Sequence, residues 1–237
     1  MSEKITNVHK GHRQRLKERF LREGLDNFEE YQVLELLLFY GIPQRDTNAI
    51  AHNLMNRFGS LSRVLEASQE ELAEVPYVGD NVATLFQLIT AVSRYYQVSV
   101  AQREKILTTI EDCGRYLVPY FHGRQHETVF LLCLDAKCKV LACEKVGQGG
   151  VNSAGVSVRQ IVETALKFNA TSAILAHNHP SGLAFPSRED VQTTCRVAAA
   201  LDGVDVELTD HIIVADADWV SMAQSGLYRA EECRLQV

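Results

Sequence analysis

Residues 172–190 read SAILAHNHPSGLAFPSRED, and this stretch decides how the second half of the chain is interpreted. The apolar run before His177 predicts a short strand, and the segment with proline and glycine after His179 predicts a loop that leads into a helix. Because side chains alternate along a strand, two histidines one residue apart present their imidazoles on the same side. Asp190 follows eleven residues after His179 and can return as a third ligand. Two imidazoles and a carboxylate leave the fourth position of a zinc ion open, as in catalytic zinc sites.

A polar loop rich in turn-forming residues is the alternative to a metal site. Histidines one residue apart have many uses and do not by themselves indicate metal binding. The added Pro186-Ser187 and Asp190 at this spacing favour the metal site. The sequence therefore predicts Zn²⁺ held by His177, His179 and Asp190.

The same residues carry a resemblance to a known family. The order His-x-His-Pro followed by Ser-x-x-Asp is similar to the signature of the JAB/MPN metallopeptidases, the JAMM proteins. Flanking phrases narrow the resemblance to the RadC family, at 176–182, 186–190 and 210–214. Weaker similarity upstream, at 11–13, 35–38 and 58–61, extends it over nearly the whole chain. The resemblance implies an α+β fold in which a mixed sheet is flanked by helices.

Further roles follow from the resemblance. In the JAMM proteins a glutamate from an early strand activates the attacking water. The matching residue is Glu127, at the start of an apolar strand. The alternative is that Glu127 is a surface glutamate at a strand end. Ser187 matches the serine that donates a hydrogen bond to the oxyanion. Its alternative role is the N-cap of the helix that carries Asp190. His211 is interpreted as a structural or supporting residue, and Arg159 matches a family arginine of no assigned role.

Composition sets broad limits on the class of protein. With 237 residues, 46% of them hydrophobic, the chain can form one large or two modest domains. No apolar run approaches the roughly 20 residues that span a bilayer, and residues 1–4 do not begin a signal peptide, so we expect a cytoplasmic protein without a membrane partner. The net charge of −6 argues against a surface that binds nucleic acid throughout. The six cysteines lack the spacing of structural zinc sites and are all predicted to be reduced thiols.

The pattern changes near residue 100. We predict a helical module over residues 1–100 and a JAB/MPN zinc domain over residues 106–237. Predicted helices of the module cover 12–23, 30–40, 46 or 47 to 58, a segment capped by Ser68, and 80–96. The zinc domain is predicted to contain a helix at 109–121, hairpin strands at 127–134 and 139–146, a loop at 147–150, a helix at 158–168, a strand at 172–176, a helix at 188–201, and one or two strands within 204–214.

The segment 75–79 joins two predicted helices and resembles a helix-hairpin-helix. Such hairpins bind DNA without reading its sequence, through backbone N–H groups and a helix N-terminus. Here Tyr77 stands where the first glycine is usual, and Glu74 and Asp80 add negative charge. The basic residues within 1–22 can contact phosphate or form the solvated face of a helix. We expect weak non-specific DNA binding at most, with a purely structural module as the alternative.

These observations predict a zinc-dependent hydrolase of the JAMM class that acts on a peptide or protein substrate. Glu127 would activate water for attack on a peptide or isopeptide carbonyl, and Ser187 would stabilise the oxyanion. The alternative is a DNA-associated repair or recombination accessory protein whose metal site acts on a bound partner or on nucleic acid. A non-catalytic scaffold is a third reading, which the complete ligand set and Glu127 disfavour.

Overall fold

The computed structural model describes residues 6–43, 45–101, 106–149, 157–180, 182–230 and 233. By contacts within the chain, it divides after Val92 into two compact units. None of the helices in the described residues combines the length and the apolar character that crossing a bilayer requires.

The first unit is built from helices. Within the described residues these are α1 (Thr6–Glu23), α2 (Glu30–Gly41), α3 (Asn48–Phe58), α4 (Leu61–Glu66), α5 (Gln69–Ala73) and α6 (Asp80–Ala101), the last of which continues past the division. The predicted boundaries agree with the structure where a capping residue marks the helix end. Gly59 ends α3 in the left-handed conformation, and Ser68 forms the capping box of α5. The short α4 was not predicted, although Ser60 caps it.

A dense apolar core holds the first unit together. Leu34 and Leu38 lie one turn apart on α2 and are fully buried, together with Leu54, Leu72 and Phe86. This spacing of four residues places the side chains of α2 on one face, which buries them against α3 and the helices that follow.

The turn at 75–79 carries backbone strain at one residue. Tyr77 has φ of 70°, in the left-handed region that glycine adopts without a steric cost. The backbone N–H of Val78 donates to the carbonyl of Val75 at 3.1 Å, which closes the turn. The guanidinium of Arg45 lies 4.4 Å from the Tyr77 ring centroid. The turn therefore holds a tyrosine in the left-handed conformation at the position where such hairpins usually have glycine, and the helix-hairpin-helix assignment stays a prediction.

The second unit is a five-stranded mixed sheet with flanking helices, and this confirms the predicted fold class. Its strands are β1 (Thr128–Leu134), β2 (Val140–Gln148), β3 (Ser172–Asn178), β4 (Glu207–Ala215) and β5 (Asp218–Ser221), in the order β2-β1-β3-β4-β5. β3 and β4 are parallel, and the other neighbouring pairs are antiparallel. The start of β1 and the ends of β3 and β4 therefore meet at one edge of the sheet.

Helices cover both faces of this sheet. α8 (Val158–Lys167) and α9 (Arg188–Asp202) pack on one face, and α7 (Ile110–Phe121) packs on the other. Every residue of β1 is buried, because alternate side chains enter the two cores. Gly114 of α7 lies so close to the Trp219 ring that a Cβ there would come within 2.3 Å of it. A glycine is therefore required at this contact.

The second unit departs from the prediction at the end of β2 and in having the strand β5. β2 continues through Gly147 and Gln148, where a loop was predicted, because these residues pair with Val129 and Thr128 of β1. Pairing with a neighbouring strand overrides the low intrinsic strand preference of glycine. The strand β5 lies beyond the predicted segment 204–214 and was missed.

The prediction of six reduced cysteines was also wrong. Cys195 of α9 and Cys233 are joined by a disulfide across 38 residues of sequence, whereas Cys113, Cys133, Cys138 and Cys143 are free. Sequence spacing gives no sign of two residues that meet only after α9 and the C-terminal segment have packed together.

Candidate metal centre

β3 delivers the two histidines to the edge where β1 begins. The strand ends at Asn178, and His179 follows it directly. Because side chains alternate along an extended backbone, His177 and His179 lie on the same side of it. Their Nε2 atoms are 2.8 Å apart. The backbone N–H of His179 donates to the carbonyl of Val214 in β4 at 2.9 Å, which continues the sheet pairing to this residue.

The first turn of α9 brings the carboxylate to the same point. Asp190 Oδ1 lies 3.4 Å from Nε2 of His177, and Asp190 Oδ2 lies 3.7 Å from Nε2 of His179. Each of the three residues offers a ligand atom within 4.8 Å of the others. The structure thus brings together all three residues that the sequence predicted as ligands.

The protonation of this cluster suits a metal. The Nδ1 of His179 lies 3.0 Å from the carbonyl oxygen of Leu183, which only accepts hydrogen bonds, so a neutral His179 carries its proton on Nδ1 and leaves the Nε2 lone pair free. Burial lowers the pKa of His177 to about 4, against the opposing effect of Asp190. Ligation requires neutral imidazoles and an ionised carboxylate. Two imidazole nitrogens with one carboxylate oxygen could hold a metal ion, and they form a donor set that Zn²⁺ favours.

Access to the cluster is uneven. The side chains of His177 and Asp190 are 1% and 6% exposed, whereas that of His179 is 16% exposed. A ligand would therefore reach the cluster from the side of His179.

Glu127 lies at the same edge of the sheet. It immediately precedes β1 and is half-buried, and Val129, two residues later, pairs with His177. By strand alternation Glu127 belongs to the face of Val129 and His177. Its position is consistent with a base that serves the cluster, and its catalytic role stays a prediction.

The side chain of Asn178, between the two histidines, forms hydrogen bonds with the backbone of the segment that carries Glu127. Its Oδ1 accepts the backbone N–H of Thr128 at 2.8 Å, and its Nδ2 donates to the carbonyl of His126 at 3.4 Å. The side chain thus bonds to the residues on both sides of Glu127. A third bond runs from the backbone N–H of Gly149 to the carbonyl of Glu127 at 2.8 Å.

Ser187 combines two contacts to Asp190. Its hydroxyl oxygen accepts the backbone N–H of Asp190 at 3.0 Å, which makes it the N-cap of α9. Its hydroxyl proton goes to Asp190 Oδ2 at 2.6 Å, and the same oxygen accepts the backbone N–H of Ser187 at 2.7 Å. The capping alternative is therefore present, and both bonds to Oδ2 orient the carboxylate. The oxyanion role requires the hydroxyl to rotate away from Asp190 and stays a prediction.

Two polar residues behind the histidines complete the cluster. Nδ1 of His177 lies 2.8 Å from Nε2 of His211, and Nδ1 of His211 lies 2.6 Å from the hydroxyl of Thr194. His211 and Thr194 are both fully buried. Burial lowers the pKa of His211 well below its ordinary value. His211 therefore contacts His177 directly, and its supporting role stays a prediction.

The sequence interpretation missed Thr194 and the contacts of Asn178. Thr194 follows Asp190 by four residues on α9, so the two share a helix face, and this spacing was the available signal. Arg159, which matched a family arginine, lies instead on the exposed side of α8 and donates to Glu163 at 2.7 Å.

Comparison with known proteins gives a consistent assignment. Residues 107–227 match the family model described as RadC-like JAB domain, and residues 5–84 match that described as UPF0758 N-terminal. A UPF0758 protein of Alteromonas mediterranea is 32% identical over 214 residues, which cover 90% of this chain and 95% of that protein. One of Fusobacterium nucleatum is 32% identical over 234 residues (96% and 100%), and one of Ruegeria pomeroyi is 35% identical over 216 residues (91% and 96%). A JAB domain with a converging His-His-Asp group fits a metallohydrolase.

Proposed function

Because this chain belongs to the UPF0758 family and carries its RadC-like JAB domain, we propose that it is a zinc-dependent hydrolase that cleaves a peptide or isopeptide bond by attack of water. One observation carries the proposal. Two imidazole Nε2 atoms and a carboxylate converge within 4.8 Å at the edge where β1 begins.

The donor set supports zinc as the metal. His177, His179 and Asp190 would hold the ion, and three protein ligands leave one position for water or substrate. When bound, Zn²⁺ lowers the pKa of a coordinated water towards about 7 and polarises a carbonyl oxygen. The hydrogen bonds of Ser187 to Asp190 Oδ2 hold the carboxylate in place, and their loss would cost the chain part of its affinity for the metal.

Glu127 is the proposed general base. It would accept a proton from the attacking water and return it to the leaving amine, a contribution of about 10²–10⁴-fold in rate. The three backbone bonds around Glu127 fix where its side chain starts, which limits the orientations that the carboxylate can take. Ser187 would donate its proton to the oxyanion once the carboxylate of Asp190 no longer takes it.

The test is cleavage of a peptide library and of isopeptide-linked conjugates by zinc-loaded protein. Glu127→Gln is the matched control, because it keeps the shape of the side chain but cannot accept the proton. We expect cleavage by the wild type, normal zinc content in Glu127→Gln, and a rate at least about 100-fold lower in that variant. An unimpaired Glu127→Gln rate would exclude Glu127 as the base, and cleavage that persists in the His177→Ala, His179→Ala double variant would exclude the site.

A further inference from the structure

We propose that Thr194 and His211 are positioning residues that fix the tautomer and the ring orientation of His177, so that its Nε2 lone pair faces His179 and Asp190. The metal that this lone pair would bind belongs to the proposed function. The arrangement of protons belongs to the chain alone and can be measured without metal.

The hydroxyl of Thr194 sets the direction of the chain of bonds. It has one proton, and it donates this proton to the backbone carbonyl of Asp190 at 2.6 Å, a bond from a threonine to the carbonyl four residues earlier in its helix. Its oxygen is then left to accept from Nδ1 of His211 at 2.6 Å. Nδ1 of His211 must therefore carry a proton.

The proton on Nδ1 of His211 determines the proton position on His177. A neutral imidazole has one N–H, so protonation of Nδ1 leaves Nε2 of His211 as an acceptor. Its neighbour at 2.8 Å, Nδ1 of His177, must then be the donor. His177 is thereby held with its proton on Nδ1 and with Nε2 bare, 3.4 Å from Asp190 Oδ1.

The arrangement links two of the proposed ligands through one helix turn. Asp190 supplies its carboxylate to the cluster and its backbone carbonyl to Thr194, and Thr194 directs His211 towards His177. A partner that fixes the orientation of a ligating histidine is commonly a carboxylate or a carbonyl. Here it is a buried imidazole, which can accept from His177 only while Thr194 holds its other nitrogen as the donor.

Thr194→Val tests this assignment, since valine keeps the branched shape and removes the hydroxyl. Thr194→Ser restores the hydroxyl and should rescue the variant. Thr193→Val is the matched control, because Thr193 is also buried on α9 and the same substitution there removes a hydroxyl whose oxygen accepts from Nη2 of Arg196 at 3.5 Å. Thermal unfolding of the metal-free proteins shows whether each variant is folded.

The first measurement uses metal-free protein labelled with ¹⁵N in histidine, in which NMR distinguishes the two neutral tautomers. We expect His177 and His211 both to carry the proton on Nδ1 in the wild type, in Thr194→Ser and in Thr193→Val. In Thr194→Val we expect His211 to lose this single tautomer. A wild type whose His177 carries its proton on Nε2 would overturn the proposal.

The second measurement is competitive zinc titration of the same proteins. We expect Thr194→Val to lose about 10–100-fold in affinity, and Thr194→Ser and Thr193→Val to stay within about threefold of the wild type. Equal affinity in Thr194→Val and wild type would overturn the positioning role. If the wild type shows the expected tautomers but binds no zinc, the proposed function fails and the assignment of the protons stands.

Discussion

One buried carboxylate in each unit, Glu35 in the first and Asp190 in the second, has a different set of partners. In the first unit the carboxylate of Glu35 is buried and both of its oxygens have partners, since Oε1 lies 3.0 Å from Nε2 of His12 and Oε2 accepts from Nδ2 of Asn48 at 3.1 Å. In the second unit the carboxylate of Asp190 faces two imidazoles that also present acceptor atoms. A closed set of donors and acceptors is typical of a structural role, and an excess of acceptors indicates a place for a cation.

The arginines near the start of the chain extend this comparison. Arg13 donates to the carbonyls of Ile42, Pro43 and Arg45 after the end of α2, and its guanidinium lies 4.8 Å from the Phe39 ring centroid. Arg19 donates to the carbonyl of Asn27 and lies over the Phe28 ring. These guanidinium groups are engaged within the unit and serve its structure. Fewer of the basic side chains within residues 1–22 are therefore available to contact DNA phosphates, and DNA binding by this segment stays a prediction.

The largest expected effect is that of the disulfide on the second unit. Replacement of Cys195 by Ser should lower the free energy of unfolding of this unit by about 3–4 kcal/mol, because the bond closes a loop of 38 residues in the unfolded chain. Chemical denaturation with and without dithiothreitol measures the effect. Cys138→Ser is the control for loss of a thiol, as Cys138 is free and only partly buried. Identical curves for oxidised and reduced wild type would show that the bond does not stabilise the unit.

Acid should separate the two kinds of buried polar group. Burial lowers the folded-state pKa of His177 to about 4 and that of His211 well below the ordinary 6.5, so the unfolded chain binds more protons. Stability therefore falls as pH falls below about 6.5, and the contribution of His177 is lost between about 6.5 and 4. The expected slope is about 1.4 kcal/mol per pH unit for each histidine. Urea unfolding of metal-free protein at several pH values checks it, and His177→Gln should remove its share of the slope. Stability that is constant from pH 7 to pH 5 would contradict neutral buried imidazoles.

Asn178 tests whether the segment around Glu127 must be held in place. Asn178→Ala removes both bonds to that segment and should lower any hydrolysis by about 10-fold, since a misplaced base is a less effective one. Zinc content should be unchanged, because the ligands themselves remain. Kinetics at matched zinc loading provide the measurement. A normal rate in this variant would mean that the other contacts suffice to place Glu127.

Replacement of Arg13 tests the structural role of the N-terminal arginines. Arg13→Ala should destabilise the first unit by about 1–2 kcal/mol, because carbonyls at the end of α2 lose a charged donor. Arg15→Ala is the matched control two residues away on the same helix, where the side chain is exposed, and it should change stability by less than about 0.5 kcal/mol. Equal unfolding curves for the two variants would contradict the distinction.

The smallest expected effect concerns DNA. Binding of a fluorescent duplex should be weak, near or above about 10⁻⁶ M at physiological salt, and steeply dependent on salt. Arg15→Glu changes an exposed charge without disturbing the internal contacts of Arg13 and Arg19. It should reduce the magnitude of the slope of log K against log salt concentration by the equivalent of about one or two phosphate contacts. His177→Ala should leave binding unchanged. A tight complex that resists salt would favour the repair-accessory function over the peptidase.

Local codes explain which features could be predicted from the sequence. The end of α3 follows from Gly59 and the start of α5 from Ser68, and both capping signals lie next to the helix end that they determine. The grouping of His177, His179 and Asp190 follows from their spacing within a single strand–loop–helix segment.

Features that depend on distant partners could not be predicted. Gly147 belongs to β2 because it pairs with Val129 of β1. Cys195 and Cys233 come close enough to form a disulfide only after the chain has folded. The bond between Thr194 and His211 joins residues 17 positions apart, on a helix and on a strand. A tertiary contact of this kind leaves no periodic trace in the sequence.

Zinc stoichiometry tests the central claim most directly, namely that the acceptor atoms of His177, His179 and Asp190 converge on a cation. Elemental analysis of protein purified without added metal, then loaded and desalted, should give about one zinc per chain. The His177→Ala, His179→Ala double variant should hold almost none, and Glu127→Gln should hold as much as the wild type. Full zinc retention in the folded double variant would contradict the claim.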